Sequence, residues 1–245
     1  MLNSRNWILV SVVLIIFTAC NKGAGCFDRA GDIKTVLIDV PEFTSIDVTS
    51  NVDVELLSSG SNLVKVTTGE NLISGISLNV EEGVLKIDNL NSCFWSKGYT
   101  RPLVIIRNVA LEKIIQHGFG RVYNTDTLTI ANLSLQVEDA SGEVDLTLDA
   151  GFVRVVSNNI GPITLKGKTG ILNAGHYWSD GILYAKDLKV QDCNITHFGS
   201  NRMELNIVNK LEGKMGSLGN VYLYGQAPTI ETVNNTGDGR IIAKY

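Results

Sequence analysis

The chain is 245 residues long, with 44% hydrophobic residues, 21 basic and 25 acidic side chains, and a net charge of −4. No basic cluster stands anywhere in it, which excludes nucleic acid as a partner class. The length suits one large all-β domain or a solenoid, and is enough to bury a sizeable core.

Arg5 gives the chain a positive start, and Trp7 to Phe17 is a nearly all-apolar run of eleven residues. A membrane-spanning helix needs about 20 such residues, so residues 1–19 read as a signal peptide. No other stretch is long and apolar enough to span a bilayer. The run ends at Phe17-Thr18-Ala19-Cys20, which resembles the lipobox of bacterial lipoproteins. That resemblance implies cleavage before Cys20, a diacylglyceryl group on its sulfur and further acylation of palmitate type, so that lipid is the only anchor. One acyl chain holds weakly, whereas two or three anchor stably. Residues 20–33 then form the lipidated cysteine and a short flexible tether. The mature chain keeps 20 basic and 25 acidic residues, a net of −5.

Cys26 and Cys93 sit in similar settings, each followed by Phe. Export brings the chain into an oxidising compartment, so these two are expected to pair. Closing that loop stabilises by about 4 kcal/mol in the chain-entropy model. Cys193 is left over, in an apolar neighbourhood, and reads as a buried thiol.

Residues 34–107 show alternating short strands and no helical periodicity. Phe43 to Val54 alternates, Leu63 to Val66 follows a Ser/Gly turn, and Ile76–Val80 and Val84–Ile87 flank Glu81-Glu82-Gly83 as a hairpin. This part is expected to be hairpin-rich and to cap a stack of coils, because an uncovered solenoid end exposes sheet edges and core.

From residue 108 to 245 seven turn signals recur: Gly120, Gly142, Gly161, Gly181, Asn201, Gly219 and Gly239, spaced by 22, 19, 20, 20, 18 and 20 residues. A period near twenty means stacked coils, each too small to bury its own apolar face. The second position after each signal holds Val122, Val144, Ile163, Leu183, Met203, Val221 and Ile241. The fourth holds Asn124, Leu146, Leu165, Ala185, Leu205, Leu223 and Ala243. Thirteen of these fourteen are apolar, so this face points inward. The first and third positions are mostly polar and face solvent. The expected fold is an all-β, right-handed parallel β-helix-like solenoid of about seven coils, forming a rod of about 34 Å at the rung spacing of 4.8 Å. Glycine at each turn is expected to supply positive φ. A β-sandwich also has evenly spaced strands, but sandwich strands rarely repeat one pattern seven times in one register.

Phe43–Val48, Val52–Leu56, Gly69–Ile73, Gly83–Ile87, Asn91–Trp95, the Gly-x-Val strands and the closing Gly237–Ile241 together resemble the putative auto-transporter adhesin, head GIN domain family of exported lipoproteins. The resemblance spans about residues 26–245, and places 34–245 in one domain of that type. It implies an adhesin-like or envelope-surface role.

The chain offers little catalytic chemistry. His117, His176 and His197 each lie three to five residues before a turn signal and read as scattered loop histidines, not as a metal site, which needs three or four converging ligands. Glu143 and Asp145 share one strand, but no third acid joins them, as a glycan-cleaving β-helix would need. No nucleophile elbow or cysteine–histidine arrangement is present. No cofactor is implied.

The outward face suggests binding. Tyr123, Tyr184 and Tyr222 share one register, and Arg121, Arg202 and Arg240 share the next. Tyr pairs an apolar ring with a polar tip that suits sugars or proteins. It is also simply a good exposed strand residue, and on sequence alone that plain reading carries more weight. The expected function is a non-catalytic, lipid-anchored envelope protein with an adhesin-like surface for an envelope or host glycan or protein. The alternative is a periplasm-facing scaffold. Asn21–Gly25 holds no acidic cluster of the kind that follows the cysteine in surface-exported lipoproteins, and position 21 is not Asp. The first point favours the periplasmic face of the outer membrane, and the second argues against retention in the inner membrane.

Overall fold

The computed structural model describes residues 29–58, 62–92, 100–108 and 110–245. The signal segment, Cys20, the Cys26–Cys93 pair and Trp95 lie outside the described residues. Among those described, no helix is long and apolar enough to cross a membrane. The fold is a β-solenoid of about seven turns.

Four long strands carry the stack: β11 (Val144–Asn158), β12 (Ile163–Tyr177), β13 (Leu183–Phe198) and β14 (Met203–Met215). Each follows a turn glycine or Asn201, runs along a front wall, bends and returns along a back wall. Consecutive strands pair in parallel along most of their length. β10 (Leu128–Glu138) precedes them, and β15 (Val221–Tyr224), β16 (Thr229–Asn235) and β17 (Ile241–Ala243) continue the stack in parallel.

The inward column predicted from the second position is one ladder in space. Val122, Val144, Ile163, Leu183, Met203, Val221 and Ile241 are register partners on successive rungs. All but the terminal Ile241 are buried. Each such Val or Leu contributes about 1.5–3 kcal/mol. Asn124, the one polar residue at the inward fourth position, bridges coils: its Nδ2 donates to the Thr147 carbonyl at 2.8 Å and its Oδ1 accepts from the Thr147 N–H at 2.8 Å.

The turn glycines do not serve the expected purpose. None of the six has positive φ; among the described residues the positive-φ glycines are Gly31, Gly83, Gly167, Gly213 and Gly225. The reason for glycine is close stacking. A Cβ at Gly142 would lie 2.1 Å from the Gly120 carbonyl oxygen, one at Gly161 2.1 Å from that of Gly142, and one at Gly239 2.1 Å from that of Gly219. At these glycine turns a coil therefore rests on the backbone of the coil before it, at a distance no side chain allows.

The N-terminal end is closed by antiparallel strands, as expected. β1 (Ile33–Ile38) pairs with β4 (Leu63–Gly69), and β5 (Ile76–Glu81) forms a hairpin with β6 (Val84–Asn89) across Glu82-Gly83. A 3-10 turn at Glu70–Gly75 places fully buried Leu72 at this end. The parallel stack also reaches into this region, and out of chain order. β2 (Ser45–Val48) lies between β6 and β8 (Lys113–Gln116) on the back wall. β3 (Asp53–Leu57) lies between β7 (Leu103–Arg107) and β9 (Val122–Asn124) on the front wall. The coil 45–57 is thus stacked between two coils that follow it in sequence, 84–107 and 113–124.

His176 and His197 are not loop residues. They are register partners on β12 and β13, both buried, with ring centroids 5.6 Å apart in an edge-to-face arrangement. They fall in one interior column with buried Ser157 before them and Met215 after them. The Ser157 hydroxyl is satisfied by Asn159 Oδ1 at 2.8 Å, whereas neither ring nitrogen of His176 has a hydrogen-bond partner. Burial, and to a smaller degree the neighbouring His197, pushes His176 down to about 3. Burial lowers His197 too, against a partial offset from the Asn201 backbone. Only His117 is part-exposed, with Nδ1 3.2 Å from the Glu138 carbonyl oxygen.

Cys193 is a buried free thiol on β13, and burial pushes its pKa up. Its thiolate is the reactive form, so iodoacetamide should leave Cys193 unmodified in the native protein and alkylate it in urea. Mass spectrometry of the Cys193 peptide checks this; equal labelling in both conditions would contradict the packing.

Candidate binding face

Three outward columns run along the front wall. The first holds Arg121, Glu143, Pro162, Ile182, Arg202, Asn220 and Arg240. The second, two residues on, holds Tyr123, Asp145, Thr164, Tyr184, Glu204, Tyr222 and Ile242, which are register partners rung by rung. The sequence-predicted Tyr123, Tyr184 and Tyr222 therefore do share one column, and Arg121, Arg202 and Arg240 flank it. Tyr184 and Tyr222 are two rungs apart, about 9.6 Å.

The two ends of this wall differ in charge. Toward the N-terminal end, four rungs bring Asp53, Glu55, Glu143 and Asp145 together with Arg121 and Lys166. Arg121 Nη2 meets Asp145 Oδ2 at 2.6 Å, and Lys166 Nζ meets Asp145 Oδ1 at 2.8 Å. Arg121 also reaches Glu143 at 3.6 Å, and its N–H donates to Asp53 at 2.8 Å. Partial burial alone would raise Asp145, but Lys166 and Arg121 more than offset it and hold the carboxyl below its usual range. A carboxylate so held cannot serve as a general acid near neutral pH. Tyr123 lies under the Arg121 guanidinium at 4.8 Å, and burial with the Glu55 and Asp53 charges raises its phenol.

The C-terminal four rungs are basic. Arg202 sits 5.5 Å over the Tyr184 ring and binds Glu204 at 2.8 Å. Lys244 lies 5.3 Å from the Tyr222 ring centroid, and Lys186 5.9 Å from that of Tyr224. Lys186, Tyr224 and Lys244 belong to a third outward column that the sequence reading missed. Their signal was the fifth position after each turn, blurred at Lys186 because the β12–β13 register shifts between Thr164 and Lys166. Arg240 is exposed, and its N–H donates to Asn220 Oδ1 at 2.8 Å.

Among the described residues, no group of three or more His, Cys, Asp and Glu side chains is placed to hold a metal ion. What the face offers is tyrosine rings, each carrying a cation, on a rigid sheet. Such pairs contribute about 0.5–1 kcal/mol each at exposed sites.

Removing one cation from the acidic end has a defined cost. Lys166→Ala leaves Asp145 with Arg121 alone, and is expected to lower stability by about 0.5–1 kcal/mol. Urea unfolding at low and high salt checks it, with the difference shrinking as salt rises.

Solved structures share the whole fold. A putative adhesin from Bacteroides fragilis NCTC 9343 is 22% identical, with a TM-score of 0.75, covering 86% of this chain and 97% of that one. A putative adhesin from Parabacteroides distasonis ATCC 8503 is 19% identical, with a TM-score of 0.60 and coverage of 87% and 97%. A putative lipid binding protein from the same organism is 17% identical, with a TM-score of 0.62 and coverage of 88% and 99%. At these identities the likeness is one of fold. No curated protein matches the sequence. The model of the family described as "Putative auto-transporter adhesin, head GIN domain" matches residues 42–227, and the chain belongs to that family.

Proposed function

We propose that this is a non-catalytic, lipid-anchored protein of the bacterial envelope whose front wall is an adhesin-like binding surface. The observation that carries the reading is the shared register of Tyr184 and Tyr222 with Arg202, Lys186 and Lys244 close against the tyrosine rings. Tyr and Arg are the side chains most used where a rigid surface meets a partner. The acid pair most suggestive of glycan cleavage, Glu143 and Asp145, is engaged by Arg121 and Lys166 instead.

The lipid on Cys20 holds the solenoid at the outer membrane, and the lack of acid in Asn21–Gly25 favours its periplasmic face. The partner is then a glycan or protein of the envelope itself. A surface-exposed adhesin, binding host material, is the other orientation. Three measurements test the anchor, the orientation and the binding face in turn. Cys20→Ala is expected to release the protein from the membrane fraction and abolish palmitate labelling; retention of both would remove the anchor. Protease shaving of intact cells is expected to leave the protein whole, and its digestion would place the binding face outside. Tyr184→Ser with Tyr222→Ser is expected to lose capture of envelope material while unfolding at nearly the same temperature.

A further inference from the structure

Resting on the binding face just proposed, we infer that its ligand is an acidic polysaccharide, a chain of sugars bearing carboxylates, laid along the C-terminal four rungs of the front wall. In the three outward columns of those rungs stand Lys186, Arg202, Arg240 and Lys244 against the two acids Asp187 and Glu204. Glu204 is buried and already bound by Arg202. Lys186, Arg240 and Lys244 enter no ion pair among the described residues. The chain as a whole is acidic, so this patch runs against the net charge of −4.

Two of the cations are also held without being neutralised. Lys186 and Lys244 lie against Tyr224 and Tyr222 at 5.9 and 5.3 Å. A tyrosine ring fixes a cation's position but leaves its full charge to an incoming anion, which cuts the ordering cost of binding. The same contacts occupy ring faces on which a neutral sugar would otherwise stack, so charge is the dominant attraction. The surface is an outward sheet wall with a regular rung spacing of about 4.8 Å. That suits an extended polymer with repeating charge. The phenol hydroxyls remain to hydrogen-bond sugar hydroxyls.

The test uses the purified protein and polygalacturonate, with neutral dextran as the comparison, read by isothermal titration calorimetry at low salt. Polygalacturonate is expected to bind, dextran not, and the affinity to fall as salt is added. Lys186→Gln with Lys244→Gln should weaken binding about tenfold, the effect of two exposed charged contacts. Lys113→Gln with Lys214→Gln, which removes the same charge from the back wall, should leave it within about twofold. No binding of polygalacturonate, equal binding of dextran, equal loss in the back-wall pair, or equal competition by a DNA duplex would each overturn the inference. Failure here is separable from failure of the face itself. If the Tyr184→Ser, Tyr222→Ser variant still loses envelope capture while polygalacturonate never binds, the face stands and the acidic ligand does not.

Discussion

Gly120→Ala should cost the protein more stability than almost any other single methyl group added to it. An alanine Cβ there would sit 1.7 Å from the Val52 carbonyl oxygen and 2.4 Å from its carbon. Both atoms are backbone, in the coil on which this one rests, so no side chain can rotate away. The two coils must part, and parting breaks the contact between β3 and β9 as well. Overpacking of this kind costs about 3 kcal/mol or more. Gly83→Ala is the fitting contrast. Gly83 has φ of +75° at the hairpin tip, with nothing within 4 Å of its added Cβ. Its only cost is the left-handed backbone, about 1–2 kcal/mol. Urea unfolding, compared at equal m-values, should show the large gap between the two variants. Similar midpoints would mean that the close stacking at Gly120 costs no more than a left-handed backbone does at Gly83.

Acid should destabilise the fold well before its carboxylates titrate. His176 is pushed down to about 3 in the folded protein, whereas an unfolded histidine titrates near 6.5. Between those values the unfolded chain binds a proton that the folded chain refuses. Stability is therefore intact above about pH 6.5 and falls as pH drops through the window. The whole window corresponds to as much as about 5 kcal/mol, and buried His197 adds in the same direction. Asp145, whose pKa is lowered, contributes stability that is present above its unfolded value and lost below about pH 4. The stretch from pH 6.5 to 4.5 thus isolates the histidines. His176→Leu should reduce the slope of the stability profile across that stretch to the part that His197 supplies, while Asp145→Asn should leave the slope unchanged there. A wild-type profile that is already flat from 6.5 to 4.5 would contradict the buried, uncharged pair.

The solenoid was legible because its period and its side-chain alternation agree. Thirteen apolar residues at two fixed positions can be read without any structure, and they are the inner ladder. The tyrosine column was legible for the same reason, being odd-numbered positions on the same strands. The histidine pair was not. His176 precedes Gly181 by five residues and His197 precedes Asn201 by four, so spacing alone sets them out of register. The back wall counts from the bend and not from the turn, and there the two are partners. Lys186 was hidden by a local shift in register between β12 and β13. The turn glycines were found but misassigned, because sequence marks where a side chain is forbidden without saying whether φ or a neighbour forbids it. The placement of coil 45–57 between later strands had no signal at all, since parallel pairing leaves no turn between partners to mark it.

That placement governs how the molecule can be made. A chain delivered N-terminus first presents β2 and β3 long before either wall partner exists, because these strands gain parallel neighbours only from 84–107 on one side and 113–124 on the other. Growth cannot follow the order of synthesis. It waits until residue 107 has emerged, when β6 and β7 give β2 and β3 their first parallel partners, so the first paired coils come from distant segments. Shortening the chain from its N-terminus therefore removes a foundation, while trimming β16 and β17 merely removes the last courses laid.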